Sequence, residues 1–172
     1  LLSEFQANPS SFDELSAAAD TAPVNMYKAL RDRAKRTLSS FDAYLQFYAD
    51  MLEHGPEEQV REDLERNAVR SLKNMVTGGS RSGRQFPINT ASEFRRRVDE
   101  YASLGVDTVT ERSAASTLLE HLYDDSDRDH TDIYRLLDSL LSQTPSERST
   151  LVEFLARARF TTAGVASLSE SG

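Results

Sequence analysis

The chain has 172 residues, 38% apolar and 28% charged, with a formal charge of −8 at pH 7 and neither cysteine nor tryptophan. The missing cysteine excludes disulfides, zinc–thiolate sites and thiol catalysis, and no apolar run approaches the roughly 18–20 residues of a membrane helix. A net-acidic chain repels phosphate backbones on average, which disfavours general nucleic-acid binding but leaves room for a local basic patch.

Residues 1–10 carry Leu1, Leu2 and Phe5 ahead of Asn8-Pro9, an apolar turn of ambiguous form. Four Ser/Thr-x-x-Glu boxes then mark helix starts: Ser11 to Glu14, Thr90 to Glu93, Thr108 to Glu111 and Thr144 to Glu147. In such a box the hydroxyl takes an N–H of the first turn and the Glu reaches back to the N–H of the cap. Ser11 opens a short helix with Phe12, Leu15, Ala18 and Ala19 on one face, broken by Asp20 to Pro23.

The longest predicted helix runs from Pro23 to His54-Gly55-Pro56. From Ala34 its apolar residues are Leu38, Phe41, Leu45, Tyr48 and Leu52, at alternating steps of four and three. That is a heptad seam, with a second N-cap at Ser39-Ser40 as its weak point. Phe47 and Met51 widen the apolar face beside the seam and form a candidate helical interface. Pro56-Glu57-Glu58 opens the next helix, with acids on the positive end of its dipole. Its buried stripe is Val60, Leu64, Ala68, Leu72, Met75 and Val76, ended by Thr77-Gly78-Gly79. The turn between these two helices is short, so residues 23–77 read as a long antiparallel hairpin.

Residues 78–89 form a flexible loop of Gly, Ser and Arg, closed by the apolar plug Phe86-Pro87-Ile88. Thr90 caps a helix with Phe94, Val98, Tyr101 and Leu104 inward, and Thr108 caps another with Ala115, Leu118, Leu119 and Leu122. An acidic stretch, 124–129, precedes a helix with Ile133, Leu136, Leu137, Leu140 and Leu141. A last helix from Pro145 to about Phe160 has Leu151, Phe154, Leu155 and Ala158 inward, and the 161–172 tail frays. The whole reads as one all-α domain, a bundle of about seven helices with a cluster of shorter ones over 90–160.

No catalytic, cofactor or metal site emerges. Asp125-x-Asp127-x-Asp129 starts like a calcium loop, but His130 stands where Gly is needed and Leu136 where a bidentate Glu is needed. Gly78 to Arg84 lacks the Gly-Lys-Ser/Thr ending of a phosphate loop and follows a helix. His54, His121 and His130 share no metal-binding spacing. Arginines are the remaining candidates. Arg81, Arg84, Arg95, Arg96 and Arg97 gather within 17 residues against Glu93 alone. Three of them oppose the dipole at a helix start, which fits either a solvated face paired with the many acids of this chain or a site for a polyanion or an acidic partner. A second group, Arg31, Arg33, Lys35 and Arg36, encloses only Asp32.

The expected function is that of a non-enzymatic helical protein–protein interaction or assembly module within a larger structural or regulatory complex. Its partner would be another protein or a second copy of itself, with no cofactor and no membrane. The alternative is a nucleic-acid-associated factor using the arginines of 81–97. The expected setting is soluble and intracellular.

Overall fold

The architecture follows from where apolar stripes stop. A computed structural model describes residues 1–124 and 131–141, and among these there are nine α-helices, one 3₁₀ turn and no strand. In chain order these are α1 (Leu2–Ala7), the 3₁₀ turn (Pro9–Ser11), α2 (Phe12–Ala18), α3 (Pro23–Thr37), α4 (Phe41–His54) and α5 (Glu57–Thr77). Then come α6 (Arg81–Gln85), α7 (Ala91–Ser103), α8 (Glu111–Asp124) and α9 (Thr131–Leu141). The expected helix over 145–160, with its box at Thr144, and the acidic run 124–129 beyond its first residue lie outside the described residues.

The long helix expected over 23–54 is two helices. Leu38 closes α3 in extended backbone, ψ 132°, and Ser40 opens α4 by accepting the Ala43 N–H at 3.1 Å. The seam survives the break because Ala34, Leu38 and Phe41 all stay buried across it. The hairpin therefore comprises α4 and α5, turning at His54-Gly55-Pro56, with α3 beside α5.

The residues expected to be an ambiguous apolar turn form α1 and the 3₁₀ turn, which pack onto α3 and α4. Phe5 meets Phe12 and Phe47 edge-on, with ring centroids 6.0 and 5.9 Å apart. Phe47 and Met51 are thereby enclosed, at 1% and 0% exposure. The candidate interface they were expected to form is interior packing. In α2 the inward residues are Phe12 and Ser16, while Ala18 is exposed.

Of the expected boxes, Thr90 takes the Glu93 N–H at 3.1 Å, but Glu93 turns to arginines instead of back to the cap. Ser11 makes no cap bond and donates to the Asn8 carbonyl. At α8 the box is shifted by two residues. Thr110 Oγ1 accepts the Ser113 N–H and Ser113 Oγ accepts the Thr110 N–H, both at 3.0 Å.

Residues 78–89 contain α6, laid tightly on α5. Gly78 ends α5 at φ 71°, a left-handed conformation that suits glycine. A Cβ on Gly83 would stand 2.1 Å from the Asn74 carbonyl oxygen, so only glycine allows this approach. Ile88 N–H then bonds the Met75 carbonyl at 3.0 Å, and Phe86 enters the core against Phe41 and Tyr44. The plug docks as expected, on a segment more ordered than a loop.

Candidate functional site

The five candidate arginines do not act together. Arg97 is inside, 5% exposed. Its guanidinium donates to the Phe86 carbonyl, to the Pro87 carbonyl at 3.3 Å and to Glu93 at 2.8 Å, and it lies 4.6 Å from the centre of the Phe41 ring. It holds the 86–87 plug to α7 and is not a surface contact. Arg96 pairs with Glu93 at 3.3 Å and reaches Glu100 at 4.0 Å. Arg95 donates to the Ser139 carbonyl of α9 at 3.3 Å. The cations that oppose the dipole at the start of α7 are thus occupied by local acids and carbonyls.

Arg81 and Arg84 are exposed on α6, and the fold brings other cations to them. α6 packs on both α5 and α3. α3 and α5 run side by side in the same direction: Tyr27 and Arg31 reach Asp63, and one turn further on Lys35 shares a cavity with Asn67 and Ser71. Asp63, Asn67, Arg70 and Asn74 form one stripe of α5. Asp63 bonds α3, Asn67 lines a cavity with Lys35, and Arg70 is exposed further along the same stripe. α6 contacts both α3 and α5, and these three segments carry Arg33, Lys35 and Arg36, then Arg70 and Lys73, then Arg81 and Arg84, which we take together as a basic end.

No acid interrupts residues 33–41 or 66–92, the segments that supply this end. None of the seven cations has an ion-pair partner among the described residues, whereas Arg31, Arg61, Arg66, Arg96 and Arg97 all do. The next acid along the chain, Asp42, faces α7, where it lines a hollow with Glu100 and Ser103. Cations in the last turn of α3 complement its dipole, which explains Lys35 and Arg36 in part, whereas α5 has none in its last turn. The dipole does not explain Arg70, Lys73, Arg81 or Arg84. Sequence reading found the α3 and α6 cations as separate groups and missed Arg70 and Lys73. The signal for those two was the acid-free run of 66–92.

Beside this end lies a buried polar knot. Asp63 accepts from Tyr27, from Arg31 at 3.0 Å and from Asn67 at 2.6 Å. Burial alone would raise the Asp63 carboxyl, but these hydrogen bonds and the Arg31 charge hold it below its usual range. Burial, then the Arg31 charge, lowers the Lys35 ammonium. The Tyr44 and Tyr48 hydroxyls meet at 3.2 Å, and burial pushes the Tyr44 phenol up to about 12 and those of Tyr27, Tyr48 and Tyr101 well above their usual value. The cavity among them is about 10 Å³, space for one water and no substrate.

A wider groove of about 600 Å³ runs between the start of α7 and α9, lined by Val76, Ile88, Thr90, Ala91, Ile133 and Leu136. Among the described residues no group of three His, Asp or Glu is placed to hold a metal, and no helix is long and apolar enough to cross a membrane. No family model, curated protein or solved structure matches the chain.

Proposed function

We propose that this protein is a non-enzymatic helical interaction module that docks an acidic surface of a protein partner through its basic end. One observation carries the reading: seven cations without an ion pair among the described residues, of which Lys35 alone lies near carboxylates (Asp63 and Asp32), sit on acid-free segments that meet in the fold of a chain whose formal charge is −8. Like charges held together without partners repel one another and reduce stability, so their grouping calls for a reason outside the fold. Five of the seven are arginines, whose planar fork suits carboxylates as well as phosphates. The apolar route to a partner has less support, since Leu1 is the only large exposed hydrophobic side chain among the described residues.

The second reading, a nucleic-acid-associated factor, keeps Arg81 and Arg84 at the basic end but loses Arg97 to the core. Every phenylalanine and tyrosine whose side chain is described is buried, so none offers a base-stacking platform. The test is binding of the full chain to polyglutamate and to single- and double-stranded DNA at rising salt. Polyglutamate binding that disappears in Arg70→Glu/Arg81→Glu/Arg84→Glu is the expected result. Tighter DNA binding, weakening by roughly 0.7–0.9 log unit per log unit of salt for each phosphate engaged, would favour the second reading. Binding to neither probe would remove both.

A further inference from the structure

We propose that the partner of the basic end is the acidic end of a second copy, so that the chain self-associates head to tail. This rests on the preceding reading of the basic end as a docking surface, and it names the occupant.

The charge of α5 is split along its length. Its first half carries Glu57, Glu58, Glu62, Asp63 and Glu65 with Arg61, and its second half carries Arg66, Arg70 and Lys73 with no acid. α4, which runs antiparallel to α5, adds Asp50 and Glu53 where the two helices join. Residues 43–60 hold four acids and no lysine or arginine, and 1–27 hold four acids and none. Glu58 and Glu65 have no ion-pair partner among the described residues, so both ends offer unsatisfied charge. The two ends of one molecule are thus complementary in sign, although at the acidic end Glu53, Glu57, Glu62 and Asp63 already have partners within the fold and Glu58 and Glu65 do not.

Magnitude decides whether the net charge forbids such contact. The 21 residues of α5 span about 31 Å at 1.5 Å per residue. The screening length is about 10 Å at 0.1 M salt. At that ionic strength a contact at the basic end does not sense the acidic end of its own molecule, and opposite ends attract. At about 0.01 M the screening length is roughly 30 Å, so each copy presents its full net negative charge and repulsion dominates. At about 1 M it is roughly 3 Å and the ends no longer attract. Self-association should therefore peak at intermediate salt. Binding to a flexible polyanion falls steadily with salt instead. A contact between unlike ends is heterologous and does not close as a two-fold dimer, so mass should keep rising with concentration.

The test is sedimentation velocity on the full chain at about 0.01, 0.1 and 1 M salt. Two charge-reversed variants accompany it: Arg70→Glu/Lys73→Glu/Arg84→Glu at the basic end, and Glu53→Lys/Glu58→Lys at the acidic end. Expected are a mass maximum near 0.1 M, growing roughly twofold or more with concentration, a monomer for each variant alone, and restored association when the two are mixed. Helical circular dichroism checks that each variant is folded, and the wild-type salt profile decides alone if one is not. A wild type that stays monomeric near 0.1 M overturns the proposal, as does a basic-end variant that associates like wild type. If that monomer still binds polyglutamate through Arg70, Arg81 and Arg84, the docking reading stands and only the second-copy occupant is lost. If it binds nothing, both fall.

Discussion

Asp63 shows how one side chain ties two helices together. It is the single carboxylate on which Tyr27 and Arg31 of α3 and Asn67 of α5 converge. Its side chain is 14% exposed and that of Arg31 21%, so solvent screens the contact only in part. Asp63→Ala should cost about 1.5–3 kcal/mol in a urea melt at neutral pH, the range for hydrogen bonds to a charged group. The folded carboxyl titrates below its unfolded value, so its contribution is present above the unfolded pKa of about 3.9 and is lost as pH falls through the folded value. The variant should accordingly show a shallower loss of stability below about pH 4 than the wild type. Buried tyrosines give the opposite limb. Unfolded tyrosine ionises near pH 10, whereas Tyr44 is held neutral up to about 12, and Tyr27, Tyr48 and Tyr101 are also raised. Their contribution is complete below about pH 10 and declines as pH rises toward 12. Tyrosinate absorbance should then appear together with loss of helix; gradual ionisation before unfolding would refute the shared burial. Arg97 has a role that differs from its sequence reading. Arg97→Gln should destabilise by about 2–3 kcal/mol through lost charged hydrogen bonds and the stacking on Phe41, while Arg96→Gln changes stability by less than about 1 kcal/mol.

Among the elements, those with both a stripe and a stop were legible. α5 starts after Pro56 and ends at Gly78 as its sequence implies, and α7 begins at the Thr90 cap. The break between α3 and α4 was not, because a seam that keeps its phase across residues 38–40 cannot report a change of backbone. Only the Ser40 cap reported it, and capping residues also occur inside helices. Ser40→Ala should cost about 1 kcal/mol, typical of a lost N-cap. A neutral result would mean that the corner is set by burial of Leu38 and Phe41 alone. The role of α1 was hidden for another reason: Phe5 on a six-residue helix has no period to read, yet it covers Phe47 and turns an expected interface into core. α6 was hidden by its glycines, which read as a loop but serve close approach to α5. Gly83→Ala should destabilise by about 1–3 kcal/mol, since the obstacle at Asn74 is backbone and cannot rotate away. A similar loss in Gly79→Ala, where the nearest atoms are side-chain oxygens at 3.2 Å, would argue against that explanation.

At the scale of the molecule, the charges of the basic end were readable but their union was not. Arg33 and Arg84 are 51 positions apart, and only the packing of α6 on both α3 and α5 brings their elements together. That arrangement has a thermodynamic signature independent of any partner. Cations held together without acids raise the energy of the folded state relative to the unfolded one, where chain motion separates them. Replacing Arg81 with Glu removes one repulsive centre and supplies an acid to its neighbours. Arg81→Glu should therefore be more stable than wild type by a few tenths to about 1 kcal/mol, the scale of an exposed pair. The gain should shrink as salt approaches about 1 M, where the screening length is roughly 3 Å. A reversal on the acidic side of α5, Glu58→Lys, loses a favourable dipole contact at the helix start and should destabilise by about 0.3–1 kcal/mol. Opposite signs for the two reversals in salt-dependent urea melts would identify the basic end as a surface kept at some expense of stability, as docking surfaces are. A destabilised Arg81→Glu would mean that the arginine is already satisfied within the fold, and the grouping would need no partner to explain it.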